Sequence, residues 1–170
     1  KKQRPECTVN HTIGTIIGNV KIQNSVIFHS DEGLIATEVT DCFVEYSLFY
    51  FILYGYCLKL SSLAEANILV NHSVFFNTYG GINIDTALIS GNIKNSIFHS
   101  DALYDINIVN NTGTIYLLNS IYTGLITGLE SAIDCKLINP LFVNEGAYSV
   151  DSVDLHLRTV YLGYPQNSPA

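Results

Sequence analysis

Residues 95–105 read N-S-I-F-H-S-D-A-L-Y-D, and residues 24–34 read N-S-V-I-F-H-S-D-E-G-L. The shared frame is a turn-forming residue, Ser, an aliphatic residue and an aromatic one. It returns as Y-S-L-F-Y at 46, H-S-V-F-F at 72, N-S-I-Y-T at 119 and, with Pro in place of Ser, N-P-L-F-V at 139. Anchored on Ser25, Ser47, Ser73, Ser96, Ser120 and Pro140, the intervals are 22, 26, 23, 24 and 20 residues. The first copy carries one extra residue before its Phe, as a local bulge would require. A recurrence of this size marks a repeat architecture, in which each unit buries its apolar face against its neighbours.

Between the anchors lie short β-branched runs such as N-V-K-I-Q-N (19–24), N-I-L-V-N-H (67–72) and T-I-Y-L-L-N (114–119). Others, G-I-N-I-D-T-A-L-I (81–89) and D-I-N-I-V-N (105–110), fall about half a period away. The alternation has period two, and no segment sustains a helical stripe. Each unit therefore holds two or three short strands joined at Asn, Gly, Ser or Asp corners. The frame of a leucine-rich repeat is absent, which leaves a strand-only coil of stacked rungs. The reading is an all-β, right-handed parallel β-helix of about six to seven rungs, with rungs over 1–138 and a closing segment of the same domain over 139–170.

Composition narrows the function classes. Only 14% of residues are charged and the net charge is −7, with few Lys or Arg after the N-terminal Lys1, Lys2 and Arg4. That excludes the clustered basic surface that nucleic acid requires. The longest uncharged apolar run, residues 46–58, is too short to span a bilayer as a helix. Neither a signal peptide nor a membrane span is legible, and the absence of Met suggests a processed or excised piece of a longer chain. Such a piece needs the rest of that chain, or a neighbouring subunit, to cover its first rung. Cys7, Cys42, Cys57 and Cys135 show no metal-binding spacing, so disulfides and buried thiols both stay open. Asp41-Cys42 and Asp134-Cys135 stand equally far before Ser47 and Pro140, which suggests equivalent interior positions. The sequons at Asn10, Asn71 and Asn110 matter only in a eukaryotic secretory route.

The N-S-I-F copies resemble right-handed parallel β-helix repeat proteins. Residues 139–170 look like the closing segment of bacterial secreted members, which read D-P-L-F-V-D, then a φ-H-L strand, then G-S-P-A. Here Asn139 replaces the Asp, and the link to the final N-S-P-A is longer. The resemblance implies a fold and an extracellular or cell-surface location. It leaves activity open, because this architecture hosts lyases, hydrolases, adhesins and phage spikes.

Three functional readings follow. In the first, the chain is a non-catalytic surface module, adhesin- or spike-like, presenting a face to carbohydrate or to a protein, without a cofactor. His29, Asp31, His99 and Asp101 are its candidate ligand residues. These His/Asp pairs should sit roughly 14 Å apart on one face, too far for one metal, so the duplication itself reads as architecture. In the second, the chain is a fragment of a polysaccharide lyase or glycoside hydrolase, with Asp85, Asp101 and Asp105 as acid/base candidates or, in a lyase, Ca²⁺ ligands. In the third it is a spacer in a filament. Stacked Asn24, Asn95, Asn119 and Asn139, just before the anchors, should adopt the left-handed conformation and bridge rungs by their amides.

Overall fold

The computed structural model describes residues 13–101, 104–140, 142–144 and 154–157, and the exposure of side chains over 17–101 and 104–140. It is a parallel β-solenoid of about five turns. Three stretches of backbone pairing recur in every full turn, so the coil has three sides.

The first side holds β2 (Val26–Ser30), β4 (Leu48–Ile52), β6 (Val74–Thr78), β8 (Ile97–Ser100), β11 (Ile121–Tyr122) and β14 (Lys136–Leu137), stacked in chain order. Long strands supply the other two sides: β3 (Leu34–Glu45), β5 (Tyr56–Asn71) and β7 (Gly80–Lys94) each run along the second side, bend and continue along the third. β1 (Ile13–Gln23) opens both of these sides, pairing with β3 from Leu34 to Glu45. Later rungs break at the bend, so that β9 (Tyr104–Asn111) and β12 (Leu125–Thr127) continue the second side, while β10 (Ile115–Leu118) and β13 (Ser131–Ile133) continue the third. The expected two or three short strands per turn are thus fused into one long strand and one short one in the early rungs. Register shifts such as that between Leu60 and Glu65 let a single strand round a corner.

The period-two pattern sends alternate residues inward. On the first side the inner column is Ile27, Phe49, Phe75, Phe98 and Tyr122. Phe49, Phe75 and Phe98 are fully buried, with ring centroids 4.8 and 4.6 Å apart and nearly parallel planes. Leu58, Ile82 and Ile106 line the second side, and Val44, Val70, Ile93 and Leu117 the third. All seven are fully buried, each worth about 1.5–3 kcal/mol over exposure. Gly91 is forced at its position, since a Cβ there would lie 2.0 Å from the Ile68 carbonyl oxygen.

The residue before each anchor Ser is left-handed: Asn24, Tyr46, His72, Asn95 and Asn119 have φ between 45° and 50°. The expected Asn corner is therefore general, and Tyr46 and His72 adopt it too, their rings stacked 5.1 Å apart. Just after this corner the Ser N–H finds no strand carbonyl and donates instead to the Ser hydroxyl of the next rung. The bonds Ser25 to Ser47, Ser47 to Ser73, Ser73 to Ser96 and Ser96 to Ser120 measure 3.2–3.3 Å. Each hydroxyl in turn donates to the carbonyl two residues back, as in Ser96 to Lys94 O at 2.7 Å. This buried hydroxyl ladder explains why Ser, and not merely a turn former, recurs.

Two expectations of register are corrected. The sixth anchor is Cys135, not Pro140: Lys136 pairs with Ile121, and Asp134 (φ 53°) takes the left-handed corner. Cys135 Sγ meets Ile133 O two residues back at 3.2 Å, as a ladder hydroxyl would. Cys42 lies instead in β3, paired with Val20 and Ile68, so the two Asp-Cys pairs are not equivalent. Phe142–Asn144 (β15) does not stack as a rung but pairs antiparallel with Asp154–Leu157 (β16), joining Phe142 to Leu157. This accounts for a rung count below six to seven. The rest of the expected closing segment, with Cys7, Asn10 and the basic N-terminal run, lies outside the described residues.

Candidate functional site

The twin I-F-H-S-D stretches do not superpose. Val26, Leu48, Val74 and Ile97 share one level, which puts Phe28 level with Tyr50, Phe76 and His99 on the face turned away from the main core, where Tyr50 and Phe76 are buried in a second apolar cluster, whereas Phe98 points into the main core. The extra residue of the first copy comes after its Phe, not before. It is His29, left-handed at φ 54° like Phe51 and Asn77 in the next two rungs. β8 omits that residue and passes directly from His99 to Ser100. His29 is exposed, edge-on to Phe51 at 5.6 Å; His99 stacks on Phe76 at 5.3 Å, and its Nδ1 lies 3.0 Å from Thr123 Oγ1. Asp31 and Asp101 do occupy the same corner, each just after its strand on the first side, roughly 14 Å apart. Burial raises the Asp101 carboxyl above its ordinary range, partly offset by His99. These four residues are not brought into one site.

Asp85 and Asp105 are also kept apart. Asp105 is fully buried and accepts from Ser100 N–H (2.9 Å), the Ser100 hydroxyl, Thr123 N–H (2.8 Å) and Gly124 N–H (2.6 Å). All four of its bonds go to the protein's own corners. Asp85 is exposed and pairs with Val109, four residues beyond Asp105 on β9, or about 13 Å along the strand. Among the described residues, no three His, Cys, Asp or Glu side chains come together as a metal site. Cys42, Cys57 and Cys135 are free thiols, and burial raises all three, Cys42 to about 12.

The outer surface of the second side carries a different constellation. Lys59, Asn83, Asn107 and Thr127 form one column across β5, β7, β9 and β12, with Lys59 and Thr127 exposed, Asn107 half-buried and Asn83 buried beneath its neighbours. Asn107 Nδ2 donates to Asn83 Oδ1 at 2.7 Å, and Thr127 Oγ1 to Asn107 Oδ1 at 3.1 Å. Beside the column, a hollow of about 250 Å³ is lined by Thr37, Lys59, Ser61, Asn83, Asp85 and Thr86. A second, of about 200 Å³, adjoins it through Thr86 and reaches Leu63, Asn110 and Thr112.

Thr86 divides the two hollows with φ at 49°. A β-branched residue in the left-handed region is strained by roughly 1–3 kcal/mol, and such strain concentrates at functional positions. Its hydroxyl meets Asp85 Oδ1 at 3.2 Å, and Asn110 Nδ2 meets the same oxygen at 3.1 Å. At the near end of the column the Tyr56 ring lies over Gly80, where a Cβ would come within 2.6 Å of the ring. Burial, the largest influence, raises the Tyr56 pKa, and the Asn107 amide acts in the opposite direction.

A larger hollow, about 300 Å³, borders Asn95, Asn119, Asp134 and Lys136. Its floor is the serine ladder, whose hydrogen bonds are spent within the coil, so the second side is the better candidate. Of this constellation only Asp85 stood out in the sequence. Lys59, Asn83 and Asn107 were legible as the polar centres of L-K-L, I-N-I and I-N-I, with Asn83 and Asn107 spaced 24 residues apart. No family model matches the chain, and comparison with curated proteins and with solved structures gives no match either.

Proposed function

We propose that this chain is a non-catalytic extracellular or surface module of the bacterial secreted β-helix type, adhesin- or spike-like, and that it binds carbohydrate on the outer surface of its second side. The observation that carries the reading is the strained Thr86 between two adjoining hollows, flanked by exposed Lys59 and Asp85 and by the Asn83–Asn107–Thr127 chain. Strain held at an exposed corner where side chains offer donors and acceptors suits a ligand rich in hydroxyls. The exposed groups of opposite sign favour neither a polyanion nor a polycation.

The test is binding of the intact chain to a glycan array, alongside Lys59→Ala and Asp85→Asn. Both substitutions are at exposed positions and should leave thermal unfolding unchanged. Retention of a discrete set of glycans, weakened at least tenfold by either substitution, is the expected result. No retention, or retention indifferent to both, refutes the assignment.

A further inference from the structure

We infer that the ligand is an uncharged linear polysaccharide lying parallel to the solenoid axis, one sugar ring per rung, over Lys59, Asn83, Asn107 and Thr127. This rests on the preceding proposal and adds its chemical class and direction. The four residues follow one another at the rung step of about 4.8 Å, comparable to the length of one equatorially linked pyranose. Each rung carries one polar side chain at the same height, exposed at Lys59 and Thr127, half-buried at Asn107 and buried at Asn83, so a chain along the axis lies over a continuous polar line anchored at its two exposed ends. Within the column the amides already point along the axis, Asn107 to Asn83 and Thr127 to Asn107. Their remaining polar atoms favour hydroxyls, which both donate and accept. At one edge the half-buried Tyr56 ring, lying over Gly80, offers an aromatic face against which an apolar sugar face stacks. The net charge of −7 and exposed Asp85 oppose uronate chains.

The column spans four rungs, so affinity should rise with chain length up to about four sugars and then level off. The experiment is calorimetric titration of the intact chain with uncharged β-linked glucans and mannans of two, four and six units, and with galacturonans of the same lengths. An affinity at least tenfold higher at four units than at two, flat from four to six, supports the inference. So does a several-fold loss in both Lys59→Ala and Thr127→Ala, one at each end of the column. Length-independent binding, or galacturonans bound as tightly as neutral chains, overturns the axial neutral chain and leaves carbohydrate binding standing. Absence of binding to every chain here and to the array overturns both.

Discussion

Replacing Asp105 tests how the corner after β8 is held. Its carboxylate is fully buried, and each oxygen takes two donors: Ser100 N–H and Ser100 hydroxyl on Oδ1, Thr123 N–H and Gly124 N–H on Oδ2. Asp105→Ala strands three part-buried backbone N–H groups. At about 1–3 kcal/mol per orphaned donor, softened by water entering the vacated space, the expected loss is about 3–5 kcal/mol. Asp105→Asn keeps one oxygen for Thr123 and Gly124 and turns its amide toward the Ser100 hydroxyl, which then accepts. Only Ser100 N–H is left facing a donor, so the expected loss is about 1–3 kcal/mol. For a chain of this size these figures correspond to falls in Tm of roughly 6–20 °C and 2–12 °C. Urea and thermal unfolding followed by circular dichroism check the order, Ala worse than Asn. A solenoid need not unfold in a single step, so coincidence of two probes must be checked before free energies are compared. If both variants lose less than about 1 kcal/mol, the four bonds do not hold this corner and the reasoning fails.

Three further outcomes are expected. Ser96→Ala removes the acceptor of the buried Ser73 N–H and should cost about 1–3 kcal/mol in urea unfolding, whereas Cys135→Ser restores a hydroxyl to the ladder and should be neutral or stabilising by up to about 1 kcal/mol. Thr86→Asn relaxes the left-handed backbone and should raise stability by about 1 kcal/mol while weakening glycan binding, a split that melting and array measurements together resolve. In a Cys7→Ser background at pH 8, alkylation monitored by mass should reach Cys135 first. Cys42 and Cys57, buried and with raised thiol pKa, should react only under unfolding conditions.

The repeat, its strands and its parallel stacking were legible because apolar alternation and the turn-plus-Ser anchor are properties of residue type. The left-handed Asn corner was legible for the same reason. What escaped were features in which one backbone residue is added or dropped without changing local composition. I-F-H-S-D is the same five letters twice, yet His29 is an extra left-handed residue and His99 is a regular strand position. Identical text therefore sends Phe28 outward and Phe98 inward. Pro140 matched the anchor frame by sequence, but Cys135 meets its physical requirement, a polar atom able to accept from the N–H below and donate to the carbonyl two back. Asp105 read in the sequence as an acid/base or Ca²⁺ candidate. Only three dimensions bring Ser100, Thr123 and Gly124 around it. The candidate site was least legible, since Thr86 is conspicuous only as a β-branched residue at a left-handed corner, and nothing local in the sequence places it at that corner.

The hydroxyl ladder has a consequence for how such a chain changes length. Every link joins only adjacent turns, and each Ser both closes its own corner and receives the amide of the turn before it. The stretch from one Ser to the next is thus a self-contained cassette with matching ends, whether 22 or 26 residues long. Duplicating or excising one cassette preserves the ladder, the aromatic column and the direction of every bond, whereas removing a fraction of a turn breaks the register of all three. Growth and shortening by whole turns is the route this architecture leaves open, with the variable residues between anchors free to diverge.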